Sequence, residues 1–88
     1  IIMYYIYILK SCKLDDRLYI GYTNNVVRRL KEHNLGKSCH TNKYKPWKIV
    51  YLEGYANQDD AIEREKQIKH FVKTYKQLKR KIERSLRS

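Results

Sequence analysis

The chain opens on a dense run of tyrosine and isoleucine, Tyr4 to Leu9, and aromatic and β-branched residues of this kind suit a pleated surface. A polar stretch, Lys10 to Arg17, follows, and its Leu14-Asp15-Asp16-Arg17 reads as a turn. Leu18 to Thr23 is a second strand-like run, so the pair predicts a β-hairpin with a loop longer than the common length of about two to five residues. Strand side chains alternate between faces, which places Tyr5 and Tyr7 on one side of the first strand and Tyr19 and Gly21 on one side of the second. Antiparallel pairing would bring the hydroxyls of Tyr7 and Tyr19 to one surface.

The period then changes. Asn24 or Asn25 is an N-cap for a first helix, Val26, Val27 and Leu30 supply its expected buried stripe, and Gly36 follows as a C-terminal stop. Arg29 and His33 lie four apart and so share a helix face. Lys37 to Trp47 is a polar loop closed by Pro46. Lys48 to Glu53 makes a third strand, and the nearly continuous apolar run Ile49-Val50-Tyr51-Leu52 predicts a central position for it. Asn57 begins the last element, with Asp60 three residues on as in a capping box and Asp59 also at the positive helix end. From Ala61 the apolar residues Ile68, Phe71, Val72, Tyr75, Leu78, Ile82 and Leu86 fall at helical spacing, in one helix or two.

Length and charge narrow the picture. With 88 residues, one proline and no repeat or Gly/Ser-rich linker, the chain reads as one domain. At this size folding buries only about 60% of the unfolded surface, so the core is small. Twenty Lys and Arg against nine Asp and Glu give a net charge of +11, which favours a polyanionic partner: nucleic acid, an acidic membrane or the ribosome. From Lys69 onward eight Lys or Arg stand against a single acid, Glu83, as either a solvated face or a basic ridge. No apolar run approaches the roughly 20 residues that span a bilayer, and Ile1-Ile2-Met3 lacks the basic region and cleavage site of a signal peptide. Cys12 and Cys39 allow one disulfide at most, so a reduced, cytoplasmic protein is expected.

Among residues able to do chemistry, Glu65 sits four after Ala61 and three before Ile68, along the border of the apolar stripe. Carboxylates are seldom buried unless paired or bound to metal, so Glu65 is a metal ligand, the partner of Arg64, Lys66 or Lys69, or simply exposed at the edge of the stripe. Glu63 points away from the stripe. Tyrosine titrates near pH 10 and becomes a base only where cations or a metal favour the phenolate. Tyr7 and Tyr19 are therefore either packing rings or proton acceptors, and Arg29 is either a surface arginine or a phosphate clamp. His33, His40, Cys12 and Cys39 fit no zinc pattern, and there is no Gly-rich phosphate loop or Ser-His-Asp set.

Taken in order, Tyr5-Ile6-Tyr7, Tyr19-Ile20-Gly21-Tyr22-Thr23, Arg28 to Asn34, Tyr44-Lys45-Pro46 and Ala61 to Lys69 resemble the GIY-YIG endonucleases over about Met3 to Lys69. That family includes the N-terminal nuclease domain of a bacterial excinuclease, and the chain looks most like its small stand-alone branch. The resemblance implies an α+β fold, a three-stranded antiparallel sheet flanked by helices, with a core of about residues 3–69 and a basic helical tail over 70–88. It implies a one-metal phosphodiester hydrolysis in which Glu65 holds Mg²⁺ or Mn²⁺, Tyr19 or Tyr7 activates the attacking water, and Arg29 stabilises the transition state. His33 would assist proton transfer or hold a phosphate. Arg28, Lys31, His40, Lys43, Lys45 and Lys69 are the expected DNA contacts.

The chain departs from the family pattern at Tyr5, where the motif name has glycine, and at His40, where related sequences often have tyrosine before the threonine. No asparagine follows Asn57 to match a late one in some members. The implied function is a metal-dependent DNA endonuclease in repair or recombination, with a protein partner or dimer supplying specificity. The alternatives are a catalytically weak or inactive nucleic-acid-binding module on the same scaffold and a basic protein packed on ribosomal RNA.

Overall fold

The computed structural model describes residues 2–14, 17–38 and 40–87. Ile1, the Asp15-Asp16 centre of the expected turn and Cys39 lie outside the described residues, as does Ser88. Three strands, β1 (Tyr4–Ser11), β2 (Leu18–Thr23) and β3 (Trp47–Tyr55), form an antiparallel sheet in the order β2-β1-β3. The helices are α1 (Val26–Asn34), α2 (Gln58–His70), α3 (Val72–Lys81) and the short α4 (Glu83–Leu86), and a 3₁₀ turn covers Asn42–Tyr44. The fold is a single α+β domain of the expected kind. Among the described residues no helix is long and apolar enough to cross a membrane.

The central strand is β1, whose Ile6, Tyr7, Ile8 and Leu9 are all buried. The apolar run of β3 predicts the middle of the sheet for that strand, but the structure puts it at an edge. A bulge explains the run. Ile8 pairs with Tyr51 and Leu9 with Ile49, so Val50 is an extra residue in β3. Consecutive residues Val50 and Tyr51 can therefore both pack on the same apolar cluster, while Ile49 joins the opposite one.

Helices cover both faces of the sheet. On one, Ile6 and Ile8 pack with Ala61 and Ile68 of α2, Leu78 of α3 and Ile82. The core thus includes side chains from the basic segment 70–88. On the other face, Tyr7 and Leu9 pack with Trp47, Tyr19, Leu30, Tyr44 and Ile49.

Helix ends are set by local chemistry. The Asn25 side chain accepts from Arg28 N–H, and Asn57 accepts from Asp59 and Asp60 N–H. Gly36, at φ 78°, takes the left-handed turn that follows α1. The expected stripe of α1 needs correction: Val27 is exposed, and the fully buried residue of this helix is His33. The last apolar series also divides. Phe71 takes an extended backbone between α2 and α3, which resets the helical phase and leaves Phe71 and Val72 exposed instead of in the core. At the far edge, Glu53 of β3 accepts hydrogen bonds from the Tyr51 and Tyr55 hydroxyls and from Arg64 Nε at 2.7 Å, tying α2 to β3.

Candidate active site

Tyr7 stands in the middle of the central strand, 1% exposed, directly opposite Gly21 of β2. A Cβ at position 21 would lie 2.4 Å from Cζ and Oη of Tyr7, so the phenol ring crosses the space that the glycine leaves empty. This close approach aims the hydroxyl at α1. There it lies 3.0 Å from His33 Nε2 and accepts a hydrogen bond from Arg29. The i, i+4 spacing brings both partners to it from one face of the helix.

His33 is held from behind. Its Nδ1 is 2.8 Å from Thr41 Oγ1, and the Thr41 carbonyl accepts from Trp47 Nε1 at 2.9 Å. Asn34 exchanges two hydrogen bonds with the Trp47 backbone, at 2.6 and 3.1 Å, fixing the end of α1 to the start of β3. The sequence pattern gives neither Thr41 nor Asn34 a role in the site. Thr41 sits in a polar loop with no period, and its only local signal is the histidine before it.

The remaining expected residues converge from two further elements. The Tyr19 ring lies 6.1 Å from that of Tyr7 and 4.7 Å from that of His33, between centroids. Arg29 Nη1 is 3.0 Å from Glu32 Oε1. Glu65 of α2 is close enough for its charge to bear on the Tyr7 phenol. Its carboxylate also forms an ion pair with Lys69 at 3.3 Å, one of the partners expected from the sequence, and the Lys69 ammonium lies 6.0 Å from the Tyr19 ring centre.

Burial dominates the electrostatics. Desolvation, with the neighbouring Tyr19 next, pushes the Tyr7 hydroxyl well above the ordinary tyrosine range; Arg29 opposes this shift and Glu65 adds to it. Tyr7 is therefore a neutral hydroxyl at physiological pH. Burial and then the Arg29 charge lower the His33 pKa, so its imidazole is neutral as well. A neutral ring protonated at Nδ1 would donate to Thr41 and accept the Tyr7 proton at Nε2. Burial works against the Arg29 charge, but its hydrogen bonds to Glu32 and Tyr7 outweigh this and hold the pKa above its usual value.

Among the described residues no group of three or more His, Cys, Asp or Glu could form a metal cage. One partly exposed carboxylate whose charge reaches the Tyr7 hydroxyl suits a hard cation that keeps most of its waters, such as Mg²⁺ or Mn²⁺, and does not suit tetrahedral zinc. Glu65 is the residue that would hold it.

Of the expected DNA contacts, Lys69 and Arg28 border the cluster. Arg28 lines a polar cleft with Tyr22, Asn24, Arg29 and Glu32. Lys31 lines a separate groove with Leu30, Asn34 and Leu35. His40 is exposed in the loop, Lys43 is in the 3₁₀ turn, and Lys45 reaches back towards Gly36.

A family model described as the GIY-YIG catalytic domain matches residues 3–81. The chain is 42% identical over 74 residues to the UPF0213 protein SH2523 of Staphylococcus haemolyticus, covering 83% of this chain and 88% of that protein. It is 44% identical over 75 residues to UPF0213 protein CPE1444 of Clostridium perfringens, covering 84% and 78%. The solution NMR structure of UPF0213 protein BH0048 from Bacillus halodurans superposes with a TM-score of 0.54 at 32% identity, covering 86% of this chain and 81% of that one.

Proposed function

The chain belongs to the GIY-YIG family of catalytic domains, and on that premise we propose that it is a metal-dependent DNA endonuclease that hydrolyses phosphodiester bonds. The observation that carries this reading is the convergence of Tyr7, Tyr19, Arg29, His33 and Glu65, from strands β1 and β2 and helices α1 and α2, onto one patch of a protein with net charge +11. Passive phosphate binding needs cations; it does not need a carboxylate whose charge reaches a buried tyrosine hydroxyl.

In this reading Arg29, held by Glu32, presents its guanidinium to the scissile phosphate and stabilises the charge that builds in the transition state. Tyr7 is a positioning residue: buried and neutral, it fixes Arg29 on one side and His33 on the other. Tyr19 lies at the sheet edge beside an open groove, where a water has access, and is the general base of the pair. His33 is buried with both ring nitrogens occupied, so it acts on substrate only through Tyr7. Glu65 holds Mg²⁺ or Mn²⁺, which when bound supplies Lewis-acid neutralisation of the phosphate charge. Arg28 and Lys69 steer DNA to the site, Lys31, Lys43 and Lys45 extend the same positive field along the α1 side, and the exposed His40 is a further polar contact. The setting is cytoplasmic DNA repair or recombination, with specificity supplied by DNA shape, a protein partner or a second copy.

Nicking of supercoiled plasmid in Mg²⁺ or Mn²⁺ tests the proposal, with EDTA and Glu65→Ala as controls. Metal-dependent nicking that is lost in a folded Glu65→Ala variant is the expected result. No nicking, with salt-sensitive DNA binding intact and indifferent to Glu65→Ala, would make the protein a binding module.

A further inference from the structure

Beside Tyr19 a groove of about 310 Å³ opens between β2 and the α2–α3 junction. Its walls are Leu18 and Ile20 from β2, Ile68 from α2, and Val72 and Tyr75 from α3, with Lys69 at the rim. A second groove, of about 520 Å³, shares Val72 and continues along α3 between Lys73, Lys76, Gln77 and Arg80. The two make one track that starts at the proposed general base, crosses an apolar floor and ends between three cations. Lys73 to Arg80 spans about 10 Å of helix.

One exposed apolar side chain, Val72, lines both grooves and marks the middle of the track. Val72 is 68% exposed and Phe71, next to it, 59% exposed. Neither contributes to the core, and both stand where the chain leaves the helical phase. The helix that follows carries no acid between Val72 and Lys81.

We propose that this track holds a single-stranded DNA segment continuous with the scissile strand, its bases against the apolar floor and its phosphates on Lys73, Lys76 and Arg80. Duplex DNA fits the cations but not the floor, because its base faces are stacked inside and only phosphate and sugar reach a flat surface. Unpaired bases offer apolar faces, and a cationic groove with aromatic rings on which bases stack, here Tyr19 and Tyr75, is how single strands are bound. A second copy of this chain would bring its own +11 charge against the same cations. The substrate is thus DNA with an unpaired segment next to the cut, a conclusion that rests on the nuclease reading for the position of the scissile phosphate.

The test is fluorescence anisotropy in EDTA, comparing a blunt duplex with the same duplex carrying a short oligothymidine arm. The arm should tighten binding about tenfold, the scale of one stacked base. Val72→Asn, a change at an exposed position, should remove that gain and leave blunt-duplex affinity unchanged. Combined Lys73→Gln, Lys76→Gln and Arg80→Gln should flatten the log–log salt dependence for the armed DNA by about 2, at roughly 0.7 per cation on a single strand. Equal affinity for the two DNAs, a gain that survives Val72→Asn, an unchanged salt slope, or preference for a ribonucleotide arm would each overturn the proposal. Metal-dependent plasmid nicking without any arm preference would sink the track alone. Arm preference without metal-dependent cleavage of the armed DNA or the plasmid would instead sink the nuclease reading.

Discussion

Gly21→Ala is the substitution that reaches furthest into the site. A methyl group at position 21 would stand 2.4 Å from both Cζ and Oη of Tyr7 and 2.8 Å from Cε1, where ordinary carbon contacts need about 3.5 Å or more. The obstacle is a ring 1% exposed on the central strand, so it has no free direction in which to swing. Relief requires the ring or β2 to retreat by about 1 Å. Overpacking of this kind costs about 1–3 kcal/mol. For a domain this size each kcal/mol lowers Tm by about 4–8 °C, so a drop of roughly 5–20 °C is expected by circular dichroism. The same retreat would break the 3.0 Å contact of Tyr7 with His33 and its hydrogen bond with Arg29. Nicking by the folded fraction should therefore fall with stability. Adding Gly21→Ala to Tyr7→Leu should cost much less than adding it to the wild type, because the ring it strikes is gone. Wild-type Tm and rate in Gly21→Ala, or full additivity in the double variant, would refute the argument.

Arg29→Ala should reduce the nicking rate by about 10²–10³, or about 2.7–4 kcal/mol, with little change in Tm; a rate within twofold of wild type would remove Arg29 from the site. His33 has a folded pKa below its unfolded value, so its contribution to stability is complete above about pH 6.5 and declines as pH falls and the unfolded state takes up the proton first. Urea midpoints should thus drop between pH 7.5 and pH 5.5 in the wild type, and less so in His33→Gln; parallel profiles would contradict the assignment. Glu53→Ala removes the acceptor shared by Tyr51, Tyr55 and Arg64 and should cost about 1.5–3 kcal/mol in urea unfolding, while nicking per folded molecule stays unchanged.

By itself the sequence determined what depends on neighbours along the chain. Alternation put Tyr5 and Tyr7 on one side of the first strand and Tyr19 and Gly21 on one side of the second, and the four-residue spacing put Arg29 and His33 on one helix face. Asn57 and Gly36 mark helix ends because capping and the left-handed turn are local chemistry. The ordered series of motifs identified the family and so the three-stranded sheet. Tertiary structure decided whatever depends on which surfaces meet. The apolar run of β3 is the same whether the strand is central or bulged at an edge, and only pairing with β1 distinguishes the two. Helical spacing continues through Phe71 and Val72, yet one extended residue turns both out to solvent. Thr41 holds His33 and Gly21 yields to Tyr7 across gaps of 8 and 14 positions, through contacts that no period encodes. Periodicity reports which side chains share a face; only packing sets what that face meets.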